Sequence, residues 1–493
     1  MQMIDLLEKK ERAIYQLYLR LQDSDRPLTL KELSLELDLS RSTLARYIQV
    51  FCEEAEEEQL GLAFQVEGDY LLMERSPILT KQDILAFLCR ESVKYQILLS
   101  LFDKDEFSIQ GLSQTLLISE ATLNRQLSSL NKSLQENKIS IRNGRIKGSE
   151  LQIRYFYFQL FWQTMSPSQM KRRMAYQEQL GNLPIFERFY ETSFNPRQEQ
   201  QLALWLTIQQ KRMRLRNLDF QELVQLMKPY EEHKFYKRLR KFALTIHQQY
   251  AFSFHEGEIM CLFAFLFSQF LLKPEKLEQV LGFGGPIMTA TSWAYQTIRS
   301  YFSSQLPMVE EGLYHLNQIL SQFYFFQSSI QTGMERWVVA DDQFKEEALS
   351  LLTEVHQTIY GRKGSLTALE KSVFVPKIVS LYVYLSQVKP IRLRIGFVSS
   401  YHQVLAYPLL HQLRQSLERK SFASIEEYQE GMTYDYIISD GFPLKNKQVY
   451  YLQGGLAYQD LQSLKAILDG LYQEKELEAE KISQQPDFTI ERR

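Results

Sequence analysis

The chain has 493 residues, length for about three to five domains at the usual 100–200 residues each. Hydrophobic residues make up 45% and charged residues 24%, a globular balance that excludes a disordered or fibrous chain. Lys and Arg total 57 against 59 Asp and Glu, which excludes a uniformly basic coat protein, and three scattered cysteines (Cys52, Cys89, Cys261) exclude a disulfide framework or a Cys-rich zinc site.

The N-terminus, MQMIDLLEKKERAIYQ, is charged within ten residues and lacks the apolar core of a signal peptide. The most apolar stretch, Ile259 to Leu272, is 14 residues long and includes Ser268 and Gln269. That falls short of the roughly 18–20 residues a membrane-spanning helix needs. A buried helix and a cytoplasmic location are expected. Aromatic residues reach 13%, with only 20 Gly and 14 Pro. Few breakers and many large side chains suggest long packed helices.

The most informative pattern is an internal repeat. Residues 33–48 read LSLELDLSRSTLARYI and residues 112–127 read LSQTLLISEATLNRQL, aligned at a constant offset of 79. Leu33/Leu112, Ser34/Ser113, Leu37/Leu116, Ser40/Ser119, Thr43/Thr122, Leu44/Leu123 and Arg46/Arg125 are identical. Leu33 and Leu37 lie one helical turn apart, as do Leu44 and Ile48. Between them Asp38-Leu39-Ser40 reads as a tight turn, with Leu39 inward and Ser40 capping the next helix. Two short helices joined this way form a helix-turn-helix, whose second helix can enter a DNA major groove.

Each copy is followed by a hairpin signal. The first has LAFQV, Glu67-Gly68-Asp69 and YLLM; the second has ISIR, Asn143-Gly144 and RIKG. Asn-Gly is a strong hairpin cue. A helix-turn-helix plus a hairpin is a winged helix, here in tandem. Packing of two helical hairpins with no nucleic-acid role is the plainer alternative, and the paired wings count against it.

Charge separates the copies. Residues 28–58 carry three basic and eight acidic residues, a net of -5, with five of the acids between Glu53 and Glu58. Residues 119–147 carry six basic and two acidic residues, a net of +4. Phosphate contacts dominate affinity, so the second unit and its Arg142, Arg145 and Lys147 wing are the expected electrostatic anchor. Candidate base readers are Arg41, Ser42, Thr43 and Arg46 in the first unit, and Thr122, Asn124 and Arg125 in the second. Arg can bond guanine, and Asn adenine, in paired fashion.

From Leu151 to Val388 apolar residues recur at three- and four-residue spacing, which reads as nearly continuous helix. Breaks fall at Gly282-Phe283-Gly284-Gly285-Pro286 and around Pro390. The glycine cluster lacks the preceding strand and following Lys-Ser/Thr of a phosphate loop, so a linker is expected. Gly361-Arg362-Lys363-Gly364-Ser365 reads as a basic turn. The Phe263, Phe265, Phe267, Phe270 stripe covers more than one helix face, as in a helix buried all round. His247, His255, His315 and His356 show no metal-ligand spacing. After Pro390 the texture changes: strands at Ile391–Val398, Tyr434–Ser439 and Val449–Leu452 alternate with helices at His402–Leu417 and Asp460–Tyr472. That pattern indicates a small parallel α/β unit. Loops after such strands often hold ligands; Ser399-Ser400-Tyr401-His402 and Asp440-Gly441-Phe442-Pro443 occupy those places. The tail from Glu474 is charged and expected to fray.

This order of units resembles the Mga/AtxA family of virulence regulators, with RofA-like regulators close behind. The most specific pieces are RIKGSELQIRYFYFQLFW, LYHLNQIL and RLRIGFVSS…YDYIISDGF. The resemblance implies two helical units similar to phosphotransferase-system regulation domains (PRDs) and a last unit similar to a phosphotransferase IIB domain that supports dimerisation. It places His315 where the second regulation domain of relatives has a histidine, a position for phosphorylation. Arg197–Gln201 has no histidine where the first would carry one. A phosphate-carrying cysteine of the IIB type is replaced by Ser399-Ser400, which argues against catalysis.

The expected fold is mainly α and multidomain. Winged helix-turn-helix units are placed at 1–77 and 78–165, PRD-like units at 166–285 and 286–389, a IIB-like α/β unit at 390–473 and a tail at 474–493. The expected function is a homodimeric DNA-binding transcription regulator, an activator of virulence or surface-protein genes. It is expected to need no cofactor or metal and to have no enzymatic activity; a phosphotransferase-system phosphodonor is a candidate partner and the membrane is not. The alternatives are an RNA-binding antiterminator with the same regulation domains and a non-catalytic phosphotransferase-system sensor.

Overall fold

The computed structural model describes residues 1–166, 169–170, 176–215, 217–247, 255–271, 285–301, 310–327, 329–333, 344–361, 365–387, 393–417, 423–441, 444, 448–452 and 455–483. Gly282-Phe283-Gly284, Arg362-Lys363-Gly364, Pro390, Phe442-Pro443, the side chain of His247 and the end of the tail lie outside the described residues.

The first winged helix runs α1 (Lys9–Gln22), β1 (Leu28–Thr29), α2 (Leu30–Glu36), α3 (Arg41–Glu57), β2 (Leu62–Glu67) and β3 (Tyr70–Arg75). Helix α2 starts where Thr29 accepts the Glu32 amide while Glu32 accepts the Thr29 amide, a reciprocal cap. Strand β3 lies between β1 and β2, all antiparallel, with Leu28 opposite Leu71 and Glu67 opposite Tyr70. The second unit runs α4 (Lys81–Cys89), α5 (Val93–Lys104), α6 (Ile109–Thr115), α7 (Glu120–Gln135), β4 (Ser140–Arg142) and β5 (Arg145–Lys147). In both copies Leu44 or Leu123, and Ile48 or Leu127, are buried one turn apart, as the repeat requires.

Helix α8 (Glu150–Thr164) leads out of the second unit and is buried on nearly every side. It is followed by α9 (Tyr176–Tyr190), α10 (Pro196–Arg212), α11 (Gln221–Met227), α12 (Lys234–His247), α13 (Glu256–Leu266), α14 (Pro286–Tyr301), α15 (Glu310–Phe325), α16 (Lys345–Tyr360) and α17 (Ala368–Gln387). Aromatic side chains fill this core. Trp205 stacks on Phe265 at 4.2 Å between ring centroids, and Phe158 meets Phe265 edge-on at 5.0 Å. Every residue of α13 from Gly257 to Leu266 is buried, as the aromatic stripe predicts. The helix nevertheless ends at Leu266, short of the apolar stretch. Phe270 takes φ +55°, and side-chain amides from α15 bind the backbone released there. Gln318 donates to the Phe267 carbonyl and accepts the Phe270 amide, and Gln322 donates to the Ser268 carbonyl. Apolar run length alone did not show this stop.

One polar cluster interrupts the core. Arg154 donates to Glu150 at 2.7 Å and forks onto both oxygens of Glu258 at 2.6 and 2.8 Å. Arg212 adds two bonds to Glu150 at 2.7 and 2.9 Å. All four side chains are buried, so two guanidiniums and two carboxylates neutralise one another away from water.

The C-terminal strands β6 (Leu393–Val398), β7 (Ala423–Glu427), β8 (Tyr436–Ser439) and β9 (Val449–Tyr451) form a parallel sheet in the order β7-β6-β8-β9. Helices α18 (Gln403–Leu417) and α19 (Tyr458–Ser483) supply Leu413, Leu464 and Leu468 to a core with Leu393, Ile395 and Ile438. Two expectations are corrected here. Strand β7 was missed because ASIEE is short, polar and at the sheet edge, where only alternate residues are buried. Helix α19 runs through the first ten residues of the expected frayed tail (Glu474–Ser483), and its charged composition does not break it.

The backbone divides into two compact units. One comprises Met1–Ser292 with Tyr314–Val379; the other comprises Trp293–Leu313 with Ser380–Arg493. This division is coarser than the six segments expected from sequence.

Candidate nucleic-acid interface

The two helix-turn-helix turns are built alike. Helix α2 ends with Asp38 at φ +52°, its amide bonded to the Leu35 carbonyl and that of Leu39 to the Ser34 carbonyl. Helix α6 ends with Leu117 at φ +53°, its amide bonded to Gln114 and that of Ile118 to Ser113. This is the paired closure of a Schellman stop, normally given to glycine. Leu117 is 92% exposed, so its side chain gains no burial in return for a left-handed backbone. Leu117→Gly is therefore expected to raise the melting temperature of the unit, by about 1 kcal/mol of stability. Thermal unfolding of the two proteins checks it.

Both recognition helices start from a serine. Ser40 accepts the Thr43 amide and Ser119 the Thr122 amide, each at 3.1 Å. The Thr43 and Thr122 hydroxyls bond the same serines, at 2.8 and 2.9 Å. These two threonines, predicted as base readers, are thus half-buried cap residues with their hydroxyls engaged. Arg41, Ser42 and Arg46 are exposed on α3, together with Ala45 and Gln49. Sequence reasoning missed Gln49, although helical spacing from Arg41, Ala45 and Arg46 places it on the same face. On α7, Asn124 and Arg125 are exposed, with Ser128 one turn on.

The second wing is fixed from two directions. Asn131 on α7 donates to the Ile141 carbonyl at 3.0 Å and accepts the Ile141 amide at 2.6 Å, gripping β4. At its tip Asn143 and Gly144 take φ of +51° and +68°, the mirror-image turn that suits a two-residue hairpin. The Gly144 carbonyl accepts the Phe107 amide at 3.1 Å, and a Cβ on Gly144 would stand 1.9 Å from the Phe107 carbonyl oxygen. Gly144→Ala is expected to destabilise the unit by more than about 1 kcal/mol and to displace the wing. Its melting temperature and its affinity for duplex DNA should fall together.

Three predicted wing cations divide by partner. Arg142 and Lys147 are exposed and form no ion pair among the described residues, and neither do Arg41, Arg46 or Arg125. Arg145 is different: its Nε donates to Glu106 at 2.6 Å, and its Nη2 meets the same oxygen. Glu106 pairs with Arg145 through a backbone bridge as well, adding a third strand-like segment beside the wing. The charge count over residues 119–147 left Glu106 out, although it lies within the unit placed at 78–165. Within the wing, Arg142 and Lys147 remain available for phosphate oxygens.

These positions define a class: tandem winged helices, each presenting a capped helix with exposed arginine beside a hairpin. Residues 78–161 match the family model of the Mga helix-turn-helix domain. That segment spans α4 to α8 and holds the second recognition helix and wing. The segment is thus similar to the Mga helix-turn-helix domain, which supports a DNA-binding transcription regulator, in line with the resemblance to Mga regulators. No curated protein matches the sequence. Among the described residues no helix is long and apolar enough to cross a membrane.

The remaining predicted site residue, His315, is half-buried on α15. Its ring centroid lies 5.9 Å from that of Phe270 and 5.4 Å from that of Tyr314. In the C-terminal sheet the loops after β6 and β8 meet at Asp440. Its carboxylate accepts the Ser400 amide at 2.6 Å and hydroxyl at 2.9 Å, and also the Ser399 hydroxyl.

Proposed function

We propose that the chain is a dimeric transcription activator of virulence or surface-protein genes that grips duplex DNA through both winged helices. The observation that carries the DNA-binding part of this reading is the pair of serine-capped recognition helices, each with exposed, unpaired arginine. The second copy adds Arg142 and Lys147 on its wing. PRD-like helical segments and the IIB-like sheet regulate it. Phosphorylation of His315 would put about -1.5 to -2 charges between Phe270 and Tyr314, a change large enough to move α15. Asp440 already occupies the amide and hydroxyl donors of the Ser399-Ser400 loop, which supports a sensing or dimerising role for the sheet rather than phosphate transfer.

Selection of bound sequences from a random duplex pool tests the reading. The wild type should enrich a defined site and retain it against excess hairpin RNA. Enrichment of RNA over duplex would overturn it in favour of antitermination. Phosphate transfer from a phosphotransferase-system donor should label the wild type and spare His315→Ala.

A further inference from the structure

The segment that follows α15 is not a surface loop. Phe326 stacks on Tyr155 of α8 with centroids 3.9 Å apart. Gln152 of α8 donates to the Phe325 carbonyl and accepts the Gln327 amide, both at 2.8 Å. Asn137, just past the second recognition helix, accepts the Ser329 amide at 2.8 Å, and Gln159 accepts the Ile330 amide at 2.6 Å. The segment then reaches the first winged helix. The Met3 amide donates to the Gln331 carbonyl at 2.7 Å, the Gln331 amide to the Met1 carbonyl at 3.1 Å, and the buried Tyr15 hydroxyl to the Thr332 carbonyl at 2.7 Å. Leu19 of α1 packs on Gly333.

We propose that the segment after α15, in its described residues Phe326–Gln327 and Ser329–Gly333, is a strap that acts with the direct bonds of Ser92 to Leu6 and Lys94 to Asp5 to set the mutual orientation of the two winged helices and makes it depend on the position of α15. Three side-chain amides hold the strap by its backbone, so the grip depends on where the peptide groups lie rather than on which side chains the strap carries. An extended segment bonded to Asn137 on one side and to Tyr15 and Met3 on the other cannot shift without moving one winged helix against the other. It also continues directly from the helix that bears His315, so a displacement of α15 is passed to α1 and the N-terminal segment of the first winged helix and to Asn137 of the second.

The strap is held firmly but incompletely. Asn137 Nδ2 and Gln327 Oε1 are buried without a hydrogen-bond partner, one a donor and the other an acceptor. Unpaired buried groups of this kind make a packed state costly to keep and easier to leave.

The consequence for DNA rests on the regulator reading; the strap itself is tested without DNA. In a Cys52→Ser background, spin labels at Leu35 and Gln114, both exposed, report the distance between the two helix-turn-helix units. The parent should give one narrow distance distribution. Asn137→Ala with Gln152→Ala should broaden or shift it and speed amide exchange at Ser329, Ile330 and Gln331 at least tenfold. Gln331→Pro, which removes the amide bonded to Met1 and the side-chain bond to Ser372 of α17, should broaden or shift the distance and speed exchange at Ser329 and Ile330, with an unchanged helical circular dichroism spectrum. The proposal is overturned if exchange does not change, or if exchange speeds while the distance stays as narrow as in the parent. On a duplex selected by the wild type, loosened straps should bind at least tenfold more weakly. If the wild type selects no duplex, the regulator reading fails while the label distances still decide the strap.

Discussion

Arg154→Ala is expected to lower the stability of the unit that contains it by about 3–5 kcal/mol, because it leaves Glu258 charged and buried without its guanidinium, while Arg212 still holds both oxygens of Glu150. The cluster lies where α8 leaves the second winged helix and meets α10 and α13, so its loss loosens the base on which that winged helix stands. The midpoint of the corresponding unfolding transition in urea measures it; a loss below about 1 kcal/mol would show that the pair is solvated in solution. The pH dependence follows from Glu150. Burial pushes its carboxyl up, but the Arg212 and Arg154 guanidiniums outweigh burial and hold it below the ordinary value of 4.5. A carboxylate depressed in the folded state stabilises fully above its unfolded value and loses that stabilisation as pH falls through the folded one. Wild-type stability should therefore decline as pH drops below 4.5, and less steeply in a Glu150→Gln, Arg212→Met variant.

How far the sequence led depends on the kind of signal. The helix-turn-helix units were legible because their constraints are local. A serine cap three residues before a threonine, leucines one turn apart and Asn-Gly at a hairpin each act within a few residues, and repetition at an offset of 79 removes chance. The C-terminal sheet was legible where strands are buried, as in β6 and β8, and illegible at its edge, where ASIEE has no apolar run. For the candidate site, exposure was legible and partners were not, for the same reason. Exposure of Arg41, Arg46, Asn124 and Arg125 follows from helical phase. The capture of Arg145 by Glu106, and of the Thr43 and Thr122 hydroxyls by their caps, is a matter of partner geometry. The contacts hardest to foresee were long-range: Asn137 with Ser329, Gln152 with Phe325, Arg154 with Glu258. Side chains separated by 100 residues or more leave no periodic trace, and a glutamine or arginine destined for the core looks like any surface residue.

Arg125→Ala combined with Arg142→Ala should weaken duplex binding about thirtyfold at 0.15 M salt and flatten the logarithmic salt dependence by about 1.8, if each arginine neutralises one phosphate. Arg145→Ala should cost less than about threefold, since its guanidinium is already bonded to Glu106 and has few counterions to release. The contrast removes the ambiguity of a simple loss of binding: three arginines of one unit are changed, and only those without a carboxylate partner should alter the slope. Arg41→Ala with Arg46→Ala in the first unit should behave differently again. That unit carries five acidic residues between Glu53 and Glu58, which oppose phosphate and reduce its share of the electrostatic term. Its arginines should therefore matter more for which sequence is chosen than for how tightly DNA in general is held. Salt titrations of all three variants on a selected duplex and on an unrelated one measure both effects. A flattening of about 0.9 for Arg145→Ala, half that of the Arg125, Arg142 pair, would mean that Glu106 releases its partner to DNA and that the wing rearranges on binding.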